Sequence, residues 1–467
     1  MTARRWLWLL AAPIVATSAA AQTPLSPDEL LRAVDRALPL LEQARQTVRV
    51  AEGEAREARG AFDVALGGSA RTTRGFYDNE RAAAYLEQPL APLGLTVFGG
   101  YRVGRGSFAP YDGKAATLSS GEWSGGFELP LLKSRAIDDR RAARRVTDLG
   151  VEVAERGLDK ARLSYFKEAL TVYWDWAAAG QQVRIARALL DLAEARDQQL
   201  IDAAALGQIA PVERTDNLRA IFQRRSALAA AERQLQLLAI DVSLFLRGLD
   251  GTPQRPSLDR VPDLPVPAPQ PPPDEAAEVA AALAARPELA ALRAKRRQQE
   301  VELQLAENTT LPSLTWTTEA SRDAGAGTAS RAGAGFETGL HFSLPLQRRA
   351  ATGKVVQARA KLAVLDQDLR WAEDSIRADV QDALSALAAS RAILDVVRQE
   401  VAVTRELEGL ERDRFALGDS TQFLVNLREL ATADAAAREA RALADYQKAL
   451  VTVEAATGRL ADRVPRP

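Results

Sequence analysis

KSRAIDDRRAARRVTDLGVEVAERGLDKARLSYFKEALTVYWDWAAAGQQVRIARALLDLAEARDQQLIDAAALGQIA, residues 133–210, is the stretch on which the fold turns. It follows Leu129-Pro130-Leu131-Leu132 and meets no proline until Pro211. Within it Leu158, Ala161, Tyr165, Ala169, Val172, Trp176 and Ala179 recur in steps of three or four, which predicts one amphipathic helix. At about 1.5 Å per residue, roughly 70 helical residues reach about 100 Å, several times the width of an ordinary domain. A helix of that length belongs to something elongated.

The second half of the chain repeats it. After Leu344-Pro345-Leu346 the residues Leu362, Leu365, Leu369, Ala372, Ile376, Val380, Ala383 and Leu387 keep the same spacing, and an internal duplication explains both rods. A shorter helix precedes each. Residues 26–60 open on Ser26-Pro27-Asp28-Glu29, a capping hydroxyl, a first-turn proline and acids at the positive end of the dipole. Residues 274–308 are its counterpart, and each carries an early proline, Pro39 and Pro287. Each long helix ends at a glycine turn, around Leu206-Gly207 and Leu417-Gly418, from which a shorter helix returns, over 211–246 and 421–459. Two short helices stacked end to end have about the length of one rod. The expected organisation is therefore 1–21, leader; 22–250, first repeat; 251–273, a proline-rich connector; and 274–467, second repeat. The connector reads either as a plain stiff linker or as a strap around the middle of the rods.

Between short and long helix the period drops to two. Residues near Phe62, Val64 and Leu66, and Leu314, Trp316 and Thr318, alternate with small or polar ones, as do Trp123, Gly125, Phe127 and Leu129. The clearest run is Phe336, Thr338, Leu340, Phe342 and Leu344 on one face, with Glu337, Gly339, His341 and Ser343 on the other. An apolar face backed by a polar one suits a strand with lipid outside and water inside; it also suits a half-buried sheet in a soluble domain. The rods are too long to fold back over a small sheet, which favours the barrel. Four strands cannot cross a bilayer as an open sheet, because unpaired edge groups would face hydrocarbon, so the edges must close on other copies. Eight strands from a dimer, twelve from a trimer and sixteen from a tetramer all satisfy that requirement. Residues 75–120 leave open whether a further hairpin near 95–103 joins the barrel or sits above it.

Composition narrows the function. The 467 residues carry a formal net charge of -1 with both signs mixed along the helices, so no basic face points to nucleic acid. Arg4 and Arg5, the apolar run from Trp6 to Val15 and Ala19-Ala20-Ala21 form a secretory leader too short to span a membrane as an anchor. Cysteine is absent, which excludes disulfides, thiolate metal sites and a lipid-modified mature N-terminus. With one histidine, no nucleophile elbow and no phosphate loop, the Gly-Ala run at 324–327 included, an enzyme is not expected, nor a cofactor or metal. His341 reads as a solvated pore residue.

The duplicated order of short helix, strand, loop, strand, Leu-Pro-Leu, long helix, glycine turn and short helix behind a leader resembles the TolC-type outer-membrane factor family. The resemblance implies a mostly α fold with a small β part: a homotrimer whose strands form a twelve-stranded transmembrane β-barrel among outer-membrane lipid, continued by a periplasmic α-barrel. It implies an outer-membrane channel of a tripartite efflux or type I secretion system, partnered by a periplasmic adaptor and an inner-membrane transporter. By family position Leu206, Gly207, Pro211, Leu417, Gly418, Asp419, Ser420 and Thr421 form the adaptor-facing tip, which also serves to end the helices. Glu213 stands where the prototype has a latching acid, while Phe415 replaces the tyrosine that would supply its hydroxyl, so that bond cannot form. Leu424 and Leu427 stand at pore-narrowing aspartates, and two leucine rings would close the aperture by dewetting; packing between helices is the alternative. A periplasmic coiled-coil scaffold or adaptor without a pore is the rival reading, and it does not account for paired Leu-Pro-Leu strand ends and paired glycine tips.

Overall fold

The computed structural model describes residues 23–207, 209–268 and 271–465. The proposed leader, 1–21, lies outside them. In chain order the elements are α1 (Pro27–Ala37), α2 (Pro39–Gly60), β1 (Ala65–Thr73), β2 (Asn79–Pro89), β3 (Thr96–Gly106), β4 (Glu122–Pro130), α3 (Asp139–Ala205), α4 (Pro211–Phe245), α5 (Glu275–Ala285), α6 (Pro287–Asn308), β5 (Ser313–Asp323), β6 (Gly333–Ser343), α7 (Arg349–Ala416) and α8 (Gln422–Ala456).

The two rods are there: α3 has 67 residues and α7 has 68, each about 100 Å long at 1.5 Å per residue. α3 starts later than the sequence suggested, where the Asp138 side chain accepts from the Arg141 backbone N–H at 2.8 Å. Residues 26–60 and 274–308, expected as single helices, are each two. Leu38 (φ −71°, ψ 121°) and Arg286 (φ −65°, ψ 123°) are extended, one residue before Pro39 and Pro287, because the proline ring disfavours the helical conformation of the residue it follows. The start at Ser26 is as expected, its Oγ accepting from the Glu29 N–H at 3.1 Å. α1, α2 and α4 line α3, and α5, α6 and α8 line α7, so the shorter helices stack along each rod.

The main core sits at mid-height, where α1, α3, α4 and α8 meet around Trp176, Tyr173, Phe166, Leu170, Leu30 and Leu31. Burying each such side chain is worth about 1.5–3 kcal/mol. The Tyr173 hydroxyl donates to the Leu25 carbonyl at 2.7 Å, and burial, with the charges of Glu29 and Asp28, pushes its pKa up. The connector packs against this core as a strap. Val261 is buried directly over Gly180 on α3, at a point where any Cβ would collide with it. Arg184 donates to the Val261 carbonyl and to Asp263, both at 2.8 Å, and Arg260 donates to both oxygens of Glu29 at 2.8 Å.

The sheet is an antiparallel meander in the order β1-β2-β3-β4-β5-β6. It has six strands where four were expected. The segment 75–120 contributes a complete extra hairpin, β2 and β3, in register from Asn79↔Gly106 to Pro89↔Thr96. Its turn lies at the helical end of the sheet and rests on the start of α3: at Gly94 (φ +69°) a Cβ would meet the Ser134 carbonyl and the side chains of Arg141 and Asp138.

Candidate functional site

Two regions hold the residues singled out from sequence, the helical tip and the sheet. At the tip α3 and α7 end alike. Gly207 (φ 69°) and Gly418 (φ 82°) take the left-handed conformation that stops a helix, and Leu206 and Leu417 before them stand 73% and 79% exposed. Pro211 opens α4 in its first turn. On the other hairpin the Asp419 N–H donates to the Arg414 carbonyl at 2.9 Å, Ser420 Oγ donates to Glu411 at 2.5 Å, and Thr421 Oγ1 caps α8 by accepting from the Leu424 N–H at 3.4 Å.

Glu213 bridges the hairpins. Its carboxylate, in the first turn of α4, accepts the Gln422 backbone N–H of α8 at 3.1 Å, so the acid rests on the positive end of a neighbouring helix. Phe415, without a hydroxyl, is half-buried on α7. Leu424 is half-buried, whereas Leu427 is 47% exposed on a row with Phe423 and Leu430, at one-turn and two-turn spacing. Phe423 and Leu430 extend the apolar row beyond the two positions singled out from sequence.

Sequence reading also missed the cluster that ties the hairpins together. Glu429 on α8 has a fully buried carboxylate, 0% exposed. It receives Arg196 from α3, Arg224 from α4 at 2.9 Å and Arg412 from α7 at 3.2 Å. Asn426 beside it accepts from Arg196 at 3.1 Å and donates to Asp216 at 3.3 Å. Burial alone would push the Glu429 carboxyl up; the hydrogen bonds and charges of Arg196 and Arg224 outweigh it and hold the group below the usual carboxylate range. A signal was available: Arg224 falls in the helical phase of the buried Asn217, Ala220 and Ile221.

In the sheet the registers assign every side chain to one of two faces. Leu66↔Leu86, Tyr101↔Trp123, Leu129↔Trp316, Trp316↔Leu340 and Leu314↔Phe342 lie on an apolar face that runs unbroken across all six strands. Arg81, Arg102, Glu122, Glu319, Glu337 and His341 lie on the opposite, polar face. His341 is exposed there, as expected. The extra hairpin follows the alternation only in part: Ala82, Ala84 and Leu86 lie on the apolar side and Arg81, Ala83 and Glu87 on the other, while Glu80 and Arg105 fall on the apolar side and Tyr85 and Phe98 on the polar one. Strands of 9 to 11 residues match the about 9–11 that a tilted strand needs to cross a bilayer. Among the described residues no helix is long and apolar enough to cross a membrane, and no group of three or more His, Cys, Asp or Glu residues is placed to hold a metal ion.

Residues 279–459 match the family model described as outer membrane efflux protein. A search of curated proteins gives no match. Solved structures are similar over nearly the whole chain. The CmeC outer membrane channel of Campylobacter jejuni is 14% identical with a TM-score of 0.63, covering 98% of this chain and 94% of its own. The outer membrane protein VceC of Vibrio cholerae is 15% identical with a TM-score of 0.64, over 92% and 96%. The open state of the MtrE outer membrane channel of Neisseria gonorrhoeae is 15% identical with a TM-score of 0.64, over 92% and 88%. The fold, long paired helices carrying a small sheet, is the one these channels have, and the family match falls on the second repeat.

Proposed function

We infer, taking as premise that the second repeat matches the outer membrane efflux protein family, that this chain is one subunit of an outer-membrane efflux channel. It conducts solutes from an inner-membrane transporter and a periplasmic adaptor to the exterior, without chemistry of its own. The observation that carries this is the sheet: an apolar face, a polar face and strands of membrane-crossing length, mounted on helices about 100 Å long.

β1 and β6 each have only one neighbour in the sheet, and an open edge in hydrocarbon costs several kcal/mol per unpaired group. β1 runs away from the helices and β6 returns to them, so β6 of one copy can pair antiparallel with β1 of the next. Closure by three copies, the number the family resemblance implies, gives eighteen strands from six per chain, in place of twelve. At equal tilt the ring is about 1.5 times wider than a twelve-stranded one. The exposed Leu206 and Leu417 turns, at the far end of the helices, are the surface offered to the adaptor.

Because the chain has no cysteine, an introduced pair reports on closure without background. Ser69→Cys in β1, combined in turn with single cysteines stepped along β6, should give a ladder of disulfide-linked dimers and trimers in outer-membrane fractions. Failure of every β6 position to cross-link, together with release of the protein by alkaline carbonate, would leave the coiled-coil scaffold as the surviving reading.

A further inference from the structure

Between β3 and β4 the N–H groups of Thr117, Ser119 and Ser120 still continue the ladder, donating to the carbonyls of Gly104, Ala326 and Ala324 at 3.0, 3.1 and 2.9 Å, whereas the segment before them, residues 107–116, leaves it. It folds back over the polar face. At Gly104, whose missing side chain would point to that face, a Cβ would collide with the Ala115 carbonyl. Asp112 pairs with Arg81 on β2, and the Arg81 guanidinium also lies 5.3 Å from the centre of the Phe108 ring. Asn79 on the same face donates to the Ser107 carbonyl at 3.1 Å. From the other side Arg331, in the β5–β6 connection, donates to the carbonyls of Ala116 and Gly113, the latter at 2.8 Å. Both oxygens of Asp323 accept the Leu118 N–H, at 2.9 and 3.0 Å, and Leu118 is buried against Gly327. Lys114 reaches within 3.9 Å of Glu337 on β6.

Partners on β2 at one side and β6 at the other mean that the segment crosses the polar face over four strand spacings, about 19 Å at 4.8 Å each. Its outward residues are polar or aromatic: Tyr111 is 91% exposed and Lys114 almost fully so. All of this happens at the end of the sheet remote from the helices.

We propose that residues 107–116 are an inward-folded constriction at the exterior mouth, which sets the largest solute that can leave or enter. The proposal rests on the channel reading above, in which the polar face is the lumen. Three copies would project three such segments into one ring, and the wide barrel would be narrowed at its outer end by chain held on ion pairs and backbone hydrogen bonds. Arg81 and Arg331 are then positioning residues, since they hold the segment and do not line the narrowest point.

The test uses the full chain in intact cells and the thiol-free background. His341→Cys puts one thiol on the polar face of β6, eight residues from Gly333 and so about 26 Å further from the mouth at 3.3 Å per residue. A small membrane-impermeant maleimide and one carried on a long polyethylene glycol are added from outside. With the native segment, only the small reagent should label. Replacing residues 108–116 by a short Gly-Ser bridge, or the single change Arg331→Ala if that deletion fails to reach the outer membrane, should admit the large one. Labelling of the shortened form alone by the small reagent would mean a sealed mouth and equally supports the constriction. Equal labelling by the large reagent with and without the segment overturns it, the channel reading intact. No labelling from outside in any variant, with full labelling after lysis, overturns the channel reading and this proposal with it.

Discussion

Replacing Glu429 by glutamine removes the one negative charge shared by four helices while keeping the side chain's shape. Arg224 and Arg196 have side chains only 6% and 13% exposed, so both would be left as buried cations without a carboxylate. Breaking a buried pair in this way costs about 3–5 kcal/mol. Arg412, 44% exposed, rehydrates and adds little. Glutamine keeps one acceptor oxygen, which places the expected cost near the lower end, about 3 kcal/mol, or roughly two powers of ten in the local opening equilibrium. The cluster joins the α3–α4 hairpin to the α7–α8 hairpin, so the opening is expected near the tip and not in the mid-height core. Trypsin cleavage after Arg412 and Arg414 in the detergent-solubilised protein reads it, because cleavage of a transiently opened segment tracks that equilibrium when reclosing is fast. E429Q should be cut roughly a hundredfold faster there, with the thermal transition of the core little changed. The triple change Glu429→Leu, Arg196→Leu and Arg224→Leu should restore most of the protection, since apolar replacement of a whole buried ion cluster is often neutral or stabilising. Cleavage of E429Q within about twofold of wild type would refute the reasoning. The pH dependence has a fixed sign. A carboxyl depressed in the folded protein contributes its full stability above the unfolded value of 4.5 and loses it as pH falls through the lower folded value, so tip protection should be flat at neutral pH and fail only in strong acid.

Gly180→Val drives a branched side chain into Val261; overpacking of this kind costs about 1–3 kcal/mol, and limited proteolysis within 251–268 should appear before any loss of helix by circular dichroism. Gly207→Ala meets nothing within 4 Å, so its cost is conformational alone, about 1 kcal/mol for a left-handed non-glycine residue. It should speed tip proteolysis slightly and leave the thermal transition in place; a loss of several degrees would show that the turn packs on something. Leu424→Ala with Leu427→Ala should raise single-channel conductance in planar bilayers if these leucines narrow the aperture, and an unchanged conductance would assign them to packing between helices. Adding Phe423→Ala should raise it further, since that ring shares the exposed face with Leu427.

The rods could be read from sequence because a period of three and four sustained over 67 residues has no other stable realisation, and the tips because glycine is the residue that closes such helices. β4, β5 and β6 were legible through Trp123, Phe127, Trp316, Phe336 and Phe342, which mark one face against small and charged residues on the other. The β2–β3 hairpin is legible only as an open possibility near 95–103, with its place in the sheet undecided. Ala82-Ala83-Ala84 and Gly99-Gly100 erase the contrast between faces that an alternation needs, and only pairing with strands on both sides reveals the pattern. The prolines at 39 and 287 were visible, yet the break each makes one residue upstream was not drawn from them. The Glu429 cluster joins residues from four helices spread over more than two hundred positions, so no local window contains it, although an arginine in the phase of an apolar stripe hints that a partner exists. The strap was one of two open readings, and the contact of Val261 with Gly180 decides between them.

Of the six strands, β1, β4, β5 and β6 lead directly into or out of a helical segment, while β2 and β3 begin and end within the sheet, touching the columns only where their turn rests on the start of α3. Girth and stem are therefore set by different parts of the chain. In the channel proposed above, gaining or losing one such hairpin would change the gauge of the outer ring by a third, and along the columns it would alter only the contact at the start of α3.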